Sequence, residues 1–129
     1  MRWVVDASSL VAYLLGQGSE AEHAGMLGDA HAPGLIDVEV TQTLRGLVRG
    51  AKIDLSAADR ARKELTQLGV RRHPDAALLA RAWQLRDMCT TYDALYVALA
   101  EGLDATLLTR DAPLAHGIKP LIDVILSRQ

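Results

Sequence analysis

The chain has no phenylalanine, and aromatic residues make up only 4% of its 129 residues. That scarcity disfavours a sheet studded with Tyr and Phe for stacking unpaired bases. The single cysteine, Cys89, cannot close an internal disulfide, which suits a reducing cytoplasm, and it reads as a small buried hydrophobe. No apolar run, Leu10–Leu15 being typical, approaches the roughly 20 residues needed to cross a bilayer. Asp6 stands ahead of that run, where a secretory signal carries positive charge, so export is disfavoured and a cytoplasmic protein is expected. Nor does one charge dominate. There are 14 Lys and Arg against 16 Asp and Glu, a net −2, unlike a strongly basic autonomous nucleic-acid binder. Internal repeats, charged tails and low-complexity tracts are also missing. What is present is 50% hydrophobic and 23% charged residues in 13.9 kDa, the balance of one globular domain spanning residues 1–129.

A short apolar run followed by a capped helical segment recurs along the chain. Arg2–Asp6 reads as a buried strand, and Ser8 or Ser9 as the N-cap of a helix carrying Leu10, Val11, Leu14 and Leu15. Ser19-Glu20-Ala21-Glu22 is a capping box for a helix through about Leu27. His31–Gly34 reads as a connection or a very short strand. From Leu35 to Val48 the spacing is helical, with Val40, Leu44, Leu47 and Val48 on one face and Gly50 closing it. Ser56–Asp59 opens a helix with Ala58, Ala61, Leu65 and Leu68 as its core stripe. Gly69–Arg72 is a candidate strand ended by His73-Pro74, after which Asp75 caps a helix carrying Leu78, Leu79, Ala82, Trp83 and Leu85. Thr90 or Thr91 starts a helix with Leu95, Ala98 and Leu99 inward. Ala105–Thr109 is a clear strand, Asp111–His116 a helical turn or two, and Leu121–Leu126 a last strand. Continuous apolar strands alternating with amphipathic helices imply an α/β fold, a three-layer α/β/α sandwich around a mainly parallel sheet. Ligands in such folds bind outside the carboxyl ends of the strands.

Four acids fall where that edge should be. Asp6 ends the first strand, Asp111 follows the Ala105–Thr109 strand, Asp93 lies in the first turn of its helix, and Glu39 interrupts an apolar helix face. Each alone has a structural explanation: a turn former, a helix-dipole partner, the acid of a Thr-x-x-Asp box, a flank carboxylate reaching water. Together they demand neutralisation, by proton uptake or by a divalent metal, because two carboxylates about 5 Å apart repel by roughly 3 kcal/mol at an effective dielectric of about 20. Carboxylates helped by the hydroxyls of Ser8 and Thr109 form a hard oxygen set that favours Mg²⁺ or Mn²⁺. Zinc is disfavoured, since Cys89 is alone and His23, His31, His73 and His116 lack ligand spacing.

The segments Val4-Val5-Asp6-Ala7-Ser8, Glu39 in a helix after Pro33, Thr91-Tyr92-Asp93-Ala94-Leu95-Tyr96-Val97-Ala98-Leu99-Ala100, and Leu107-Leu108-Thr109-Arg110-Asp111 resemble the PIN-domain family over essentially the whole chain. Within it the chain is most similar to the compact toxins of VapBC-type toxin–antitoxin pairs. The resemblance places the family's acidic quartet at Asp6, Glu39, Asp93 and Asp111, with Ser8 and Thr109 as supporting hydroxyls. It implies Mg²⁺- or Mn²⁺-dependent endoribonuclease chemistry leaving a 5′-phosphate and a 3′-hydroxyl. Asp6, Asp93 and Asp111 are then the main metal ligands, and Glu39 holds the attacking water or a second ion. It further implies a small antitoxin partner that restrains the nuclease, and a homodimer, for which Val11, Leu14 and Trp83 are candidate contacts, although core packing is the preferred reading of each.

With those four acids set aside, 14 basic side chains face 12 acidic ones, a mildly basic remainder of +2. Arg45, Arg49 and Lys52 recur at helical or near-helical spacing beyond Glu39, either a solvated helix face or a phosphate track for RNA, with Arg45 and Arg49 the candidate contacts. The rival reading is a phosphoacceptor receiver-like signalling domain, suggested by size, topology and Lys119-Pro120. That pattern needs two adjacent acids after the first strand, and only Asp6 stands there. A haloacid-dehalogenase-type phosphatase needs Asp-x-Asp at the same place, where Ser8 fills the second position.

Overall fold

Strand β1 (Arg2–Val5) occupies the middle of a five-stranded sheet, flanked by β2 (Asp29–Pro33) on one side and β4 (Thr106–Thr109) on the other. The computed structural model describes residues 1–128. With β3 (Arg71–His73) and β5 (Val124–Leu126) at the edges, the order is β3-β2-β1-β4-β5 and every pairing is parallel. Val4, Val5, Leu107 and Leu108 are fully buried, as continuous apolar strands covered on both faces must be.

Among the described residues seven helices make the outer layers: α1 (Ala7–Leu14), α2 (Glu20–Leu27), α3 (Ile36–Arg49), α4 (Leu55–Leu65), α5 (Leu79–Gln84), α6 (Thr91–Leu103) and α7 (Ala112–Ile118). Helix α2 lies close on the sheet at Gly25, where an added Cβ would fall 2.5 Å from Leu108 Cδ1 and 3.5 Å from the Trp3 ring. Helix α6 packs against β1, β2 and β4, and its run from Ala94 to Ala100 is entirely buried. The expected three-layer arrangement is thus present.

Several local expectations are revised. Asp6, and neither Ser8 nor Ser9, is the N-cap of α1, because its carboxylate reaches back to accept from the Ser9 amide at 3.0 Å. Asp54 likewise caps α4 in place of Ser56, accepting from the Ala57 amide at 2.8 Å. Asp29–Pro33 is a full strand, although Asp-Ala-His-Ala-Pro offers no β-branched residue. Pairing with β1 and β3 and the burial of Ala30, His31 and Ala32 decide its state. His31 is held between Asp29 at 2.8 Å and the His73 ring at 2.9 Å.

Asp75 does not cap α5. It opens a 3₁₀ turn, Asp75–Leu78, and its carboxylate accepts from the Leu35 amide at 3.1 Å, tying that turn to the start of α3. On α5 only Ala82 is buried, with Leu85 just beyond it, while Leu79 and Trp83 face out and the Arg86 guanidinium covers the Trp83 ring. Val11 and Leu14 belong to the core cluster, the preferred of their two readings. The Ser19 capping box, the Thr90 N-cap and Gly50 at the end of α3 stand where the sequence put them.

Candidate functional site

The strand order reverses direction at β1, so a crevice opens between the carboxyl ends of β1 and β4. Asp6 follows β1 directly, and Asp111 follows β4 as the N-cap of α7, accepting from the Leu114 amide at 3.0 Å. Two hydroxyls join these chain ends. Thr109 Oγ1 donates to Asp6 Oδ2 and accepts from the Asp111 amide at 3.0 Å. Ser8 Oγ donates to Asp6 Oδ1 at 2.7 Å and accepts from the Arg110 amide at 3.1 Å. Ser8 and Thr109 therefore fix Asp6 and splice the β1–α1 turn to the β4–α7 turn.

Arg110 extends this frame. Its guanidinium holds the fully buried Glu22 through contacts of 2.6 and 2.9 Å, and Glu22 also accepts from the Ser19 amide at 2.8 Å. Burial alone would push the Glu22 carboxyl upward, but the Arg110 and Ser19 donors outweigh it and leave the group below its ordinary value. A charged, fully bonded pair thus anchors α2 to the loop that carries Asp111.

The other two acids arrive from opposite helices. Asp93 sits in the first turn of α6, its amide donating to the Thr90 hydroxyl, and Glu39 in the first turn of α3. Glu39 Oε1 accepts from the hydroxyl of Tyr96, one turn along α6 from Asp93, at 2.6 Å. Tyr96 is 1% exposed. The sequence marks Leu95, Ala98 and Leu99 as the inward residues of α6, and nothing there reveals a partner for Tyr96 57 positions away.

Electrostatics links the four. Burial raises the Asp6 carboxyl to about 6, against the opposing bonds from Thr109, Ser8 and the Ser9 amide, and the charge of Asp93 adds to the rise. Glu39 is pushed up by burial and by Asp93 and Asp75, with the Tyr96 bond opposing. Asp93 is pushed up by burial and by Asp111. The charge of Asp93 thus acts on Asp6 and on Glu39, and that of Asp111 acts on Asp93. A net-negative, partly desolvated cluster of this kind resists full ionisation unless a cation joins it.

All its donors are hard oxygens, which fits a hard divalent cation and not a thiolate–imidazole zinc cage. Among the described residues no three His, Cys, Asp or Glu side chains stand together as a group that could hold a metal ion.

Two clefts flank the acids. One of 210 Å³ is lined by Asp93, Asp111, Cys89 and Met88; the other, of 330 Å³, by Glu39, Leu35, Val38, Gln42 and Tyr92. Cys89, expected as a plain buried hydrophobe, is only partly buried, and burial and Asp93 push its thiol up, away from a reactive thiolate. Arg45 and Arg49 line neither cleft. They border a third groove of 310 Å³ between α3 and α4, together with Arg62.

The PIN domain family model matches residues 3–117. Ribonuclease VapC1 of Mycobacterium tuberculosis is 43% identical over 116 residues, 87% of each chain. Ribonuclease VapC9 of the same species is 38% identical over 112 residues, again 87% of each. Among solved structures, PAE2754 from Pyrobaculum aerophilum superposes with a TM-score of 0.68 at 28% identity, covering 95% of this chain and 83% of that one. The structure of VapBC2 from Rickettsia felis bound to a promoter DNA fragment matches with a TM-score of 0.64 at 10% identity, over 99% of this chain and 100% of its own, and supports the fold alone.

Proposed function

The chain belongs to the PIN-domain family, and from that premise we propose that it is a metal-dependent endoribonuclease, the toxin of a type II toxin–antitoxin pair. The observation that carries the reading is geometric: Thr109 bonds both Asp6 and the Asp111 amide, Asp93 and Asp111 line one cleft, and Tyr96, one turn along α6 from Asp93, bonds Glu39. The domain spans residues 1–129 and the cation is Mg²⁺ or Mn²⁺, held mainly by Asp6, Asp93 and Asp111. When bound, that ion supplies positive charge to the scissile phosphate and makes a nearby water a stronger acid.

The chain's own groups do the rest. Ser8, Thr109 and the Ser9 amide fix both oxygens of Asp6, so that ligand needs no reorganisation when it binds. Glu39, oriented by Tyr96, takes the proton of the attacking water, and its raised carboxyl brings it closer to the working pH of a general base. Attack by water at phosphorus displaces the 3′-oxygen, giving a 5′-phosphate and a 3′-hydroxyl. No paired imidazoles face the acids to support a 2′-hydroxyl route; His31 and His73 bond to each other. Arg45 and Arg49 are the candidate RNA contacts, at a distance from the acids along α3.

A nuclease acting on its own cell's RNA requires restraint, so a small cognate antitoxin protein is the expected partner. A homodimer is proposed with Trp83, the one of three suggested contacts left exposed. Among the described residues no helix is long and apolar enough to cross a membrane; the proposed location is the cytoplasm. The receiver-like alternative has no comparable support, because the relatives matched over most of the chain are named ribonucleases. Mapping 5′ ends of cellular RNA after brief expression of the wild type and of Asp6→Asn tests the proposal. New 5′-phosphate ends confined to the wild type support it; identical end maps overturn it.

A further inference from the structure

Tyrosine is scarce here, and two of the three tyrosines are spent inside: Tyr96 is buried and Tyr13 partly so. Tyr92 is 61% exposed, and it faces the 330 Å³ cleft together with Val38, itself 67% exposed. Tyr92 immediately precedes Asp93 and Val38 immediately precedes Glu39. Glu39 also forms part of the cleft wall, so this apolar surface is continuous with the acids. Gln42, one turn along α3, adds an amide that both donates and accepts.

We propose that this cleft is a nucleobase subsite: Tyr92 stacks the base of a nucleotide adjoining the scissile phosphate, Val38 and Leu35 pack its edge, and Gln42 bonds its polar groups. The assignment rests on the ribonuclease reading. A phosphate placed at the acids carries its sugars and bases to either side, and of the two flanking clefts this one is the larger and has the exposed aromatic face. Unpaired RNA bases are recognised by stacking on aromatic side chains and by bonds to their edges. The low aromatic content that disfavours a stacking sheet is compatible with one ring presented at a helix start. Stacking on Tyr92 tolerates any base, and Gln42 is the group that discriminates.

The test uses the purified full chain with a single-stranded RNA decamer and a set of decamers in which one base at a time is removed. Affinity is measured in EDTA and cleavage in Mn²⁺. For the wild type, removing the base at one register next to the cleavage position weakens binding by about 5- to 150-fold. Tyr92→Ala weakens the intact decamer by a similar factor, raises KM, and loses sensitivity to base removal at that register. Tyr92→Phe keeps it, and Gln42→Ala changes which base is preferred there. Circular dichroism of each variant checks folding. A wild type that cuts RNA while Tyr92→Ala retains its affinity, KM and base sensitivity overturns the subsite alone. So does a Tyr92→Ala defect seen only in binding a protein partner. A wild type that neither binds nor cuts any decamer overturns the ribonuclease reading, and the subsite with it.

Discussion

The Tyr96 hydroxyl donates to Glu39 Oε1 at 2.6 Å, joining the middle of α6 to the first turn of α3. The phenol is buried and lies near the charges of Glu39, Asp6 and Asp75, all of which push its own ionisation above the ordinary range. It therefore stays a donor at any working pH. Tyr96 fixes Glu39 in the crevice without touching the other acids through a bond of its own.

Tyr96→Phe removes that donor and little volume. A bond to the charged form of an acid lowers its pKa, so losing it raises the Glu39 carboxyl beyond its already elevated position. The acid limb of the pH–rate profile is expected to move to higher pH, with a larger loss of kcat at pH 6 than at pH 8. Stability falls by about 1.5–3 kcal/mol, the usual worth of a bond to a charged group. Kinetics across pH 5–9 and urea titration check both.

Asp6 carries a folded pKa of about 6 against an ordinary 3.8. The folded chain thus holds that proton more tightly than the unfolded chain. Its stability advantage is present below pH 4 and is lost as pH rises toward 6, by about 3 kcal/mol in all at ~1.36 kcal/mol per pKa unit. Asp6→Asn escapes this loss. In EDTA the variant should gain in Tm relative to the wild type between pH 4 and pH 7. Mn²⁺ should then raise the Tm of the wild type and not of the variant. Scanning calorimetry at both pH values, with and without Mn²⁺, reads each effect.

Glu22 and Arg110 form the buried pair behind the site. Glu22→Gln leaves the guanidinium without its counter-charge, at an expected cost of about 3–5 kcal/mol. The joint change Glu22→Leu with Arg110→Met should recover most of that. The Glu22 carboxyl is held below its ordinary 4.5, so the pair's contribution is complete above that pH and is lost as pH falls through the lowered folded value. Urea titrations at pH 7 and pH 3.5 measure both differences.

Arg45 and Arg49 border the α3–α4 groove and not the acid clefts. If they form a phosphate track, Arg45→Ala with Arg49→Ala weakens RNA binding equally for every sequence. The slope of log affinity against log salt should then fall by about 1.4, at ~0.7 per phosphate contact on a single strand. Fluorescence anisotropy from 50 to 300 mM KCl decides this; an unchanged slope removes both residues from the track.

The sheet centre, and the positions of Asp6 and Asp111 at its carboxyl edge, are readable in the sequence because local chemistry dictates them. Val4-Val5-Asp6 and Leu107-Leu108-Thr109 are apolar strands ending in polar residues, and Ser19-x-x-Glu22 is a self-contained cap. What stayed hidden depends on distant partners. Asp29–Pro33 becomes a strand through β1 and β3, and Asp75 bonds to Leu35 across 40 positions, not to its own helix. Tyr96 is not among the inward residues read from the sequence, and only the folded chain supplies Glu39 to its hydroxyl. Leu79 and Trp83 fit the helical stripe of α5, but that short helix buries little beyond Ala82.

Asp93 lines one cleft with Asp111, and its charge raises the Asp6 and Glu39 carboxyls, so removing that charge tests whether the four act as one metal-binding catalytic group. The decisive measurement is cleavage of an end-labelled single-stranded RNA by purified wild type and Asp93→Asn, each with Mn²⁺ and with EDTA, with product ends identified chemically. The expected result is 5′-phosphate products from the wild type with Mn²⁺ and none from the other three reactions. Undiminished cutting in EDTA, or by Asp93→Asn, would contradict it.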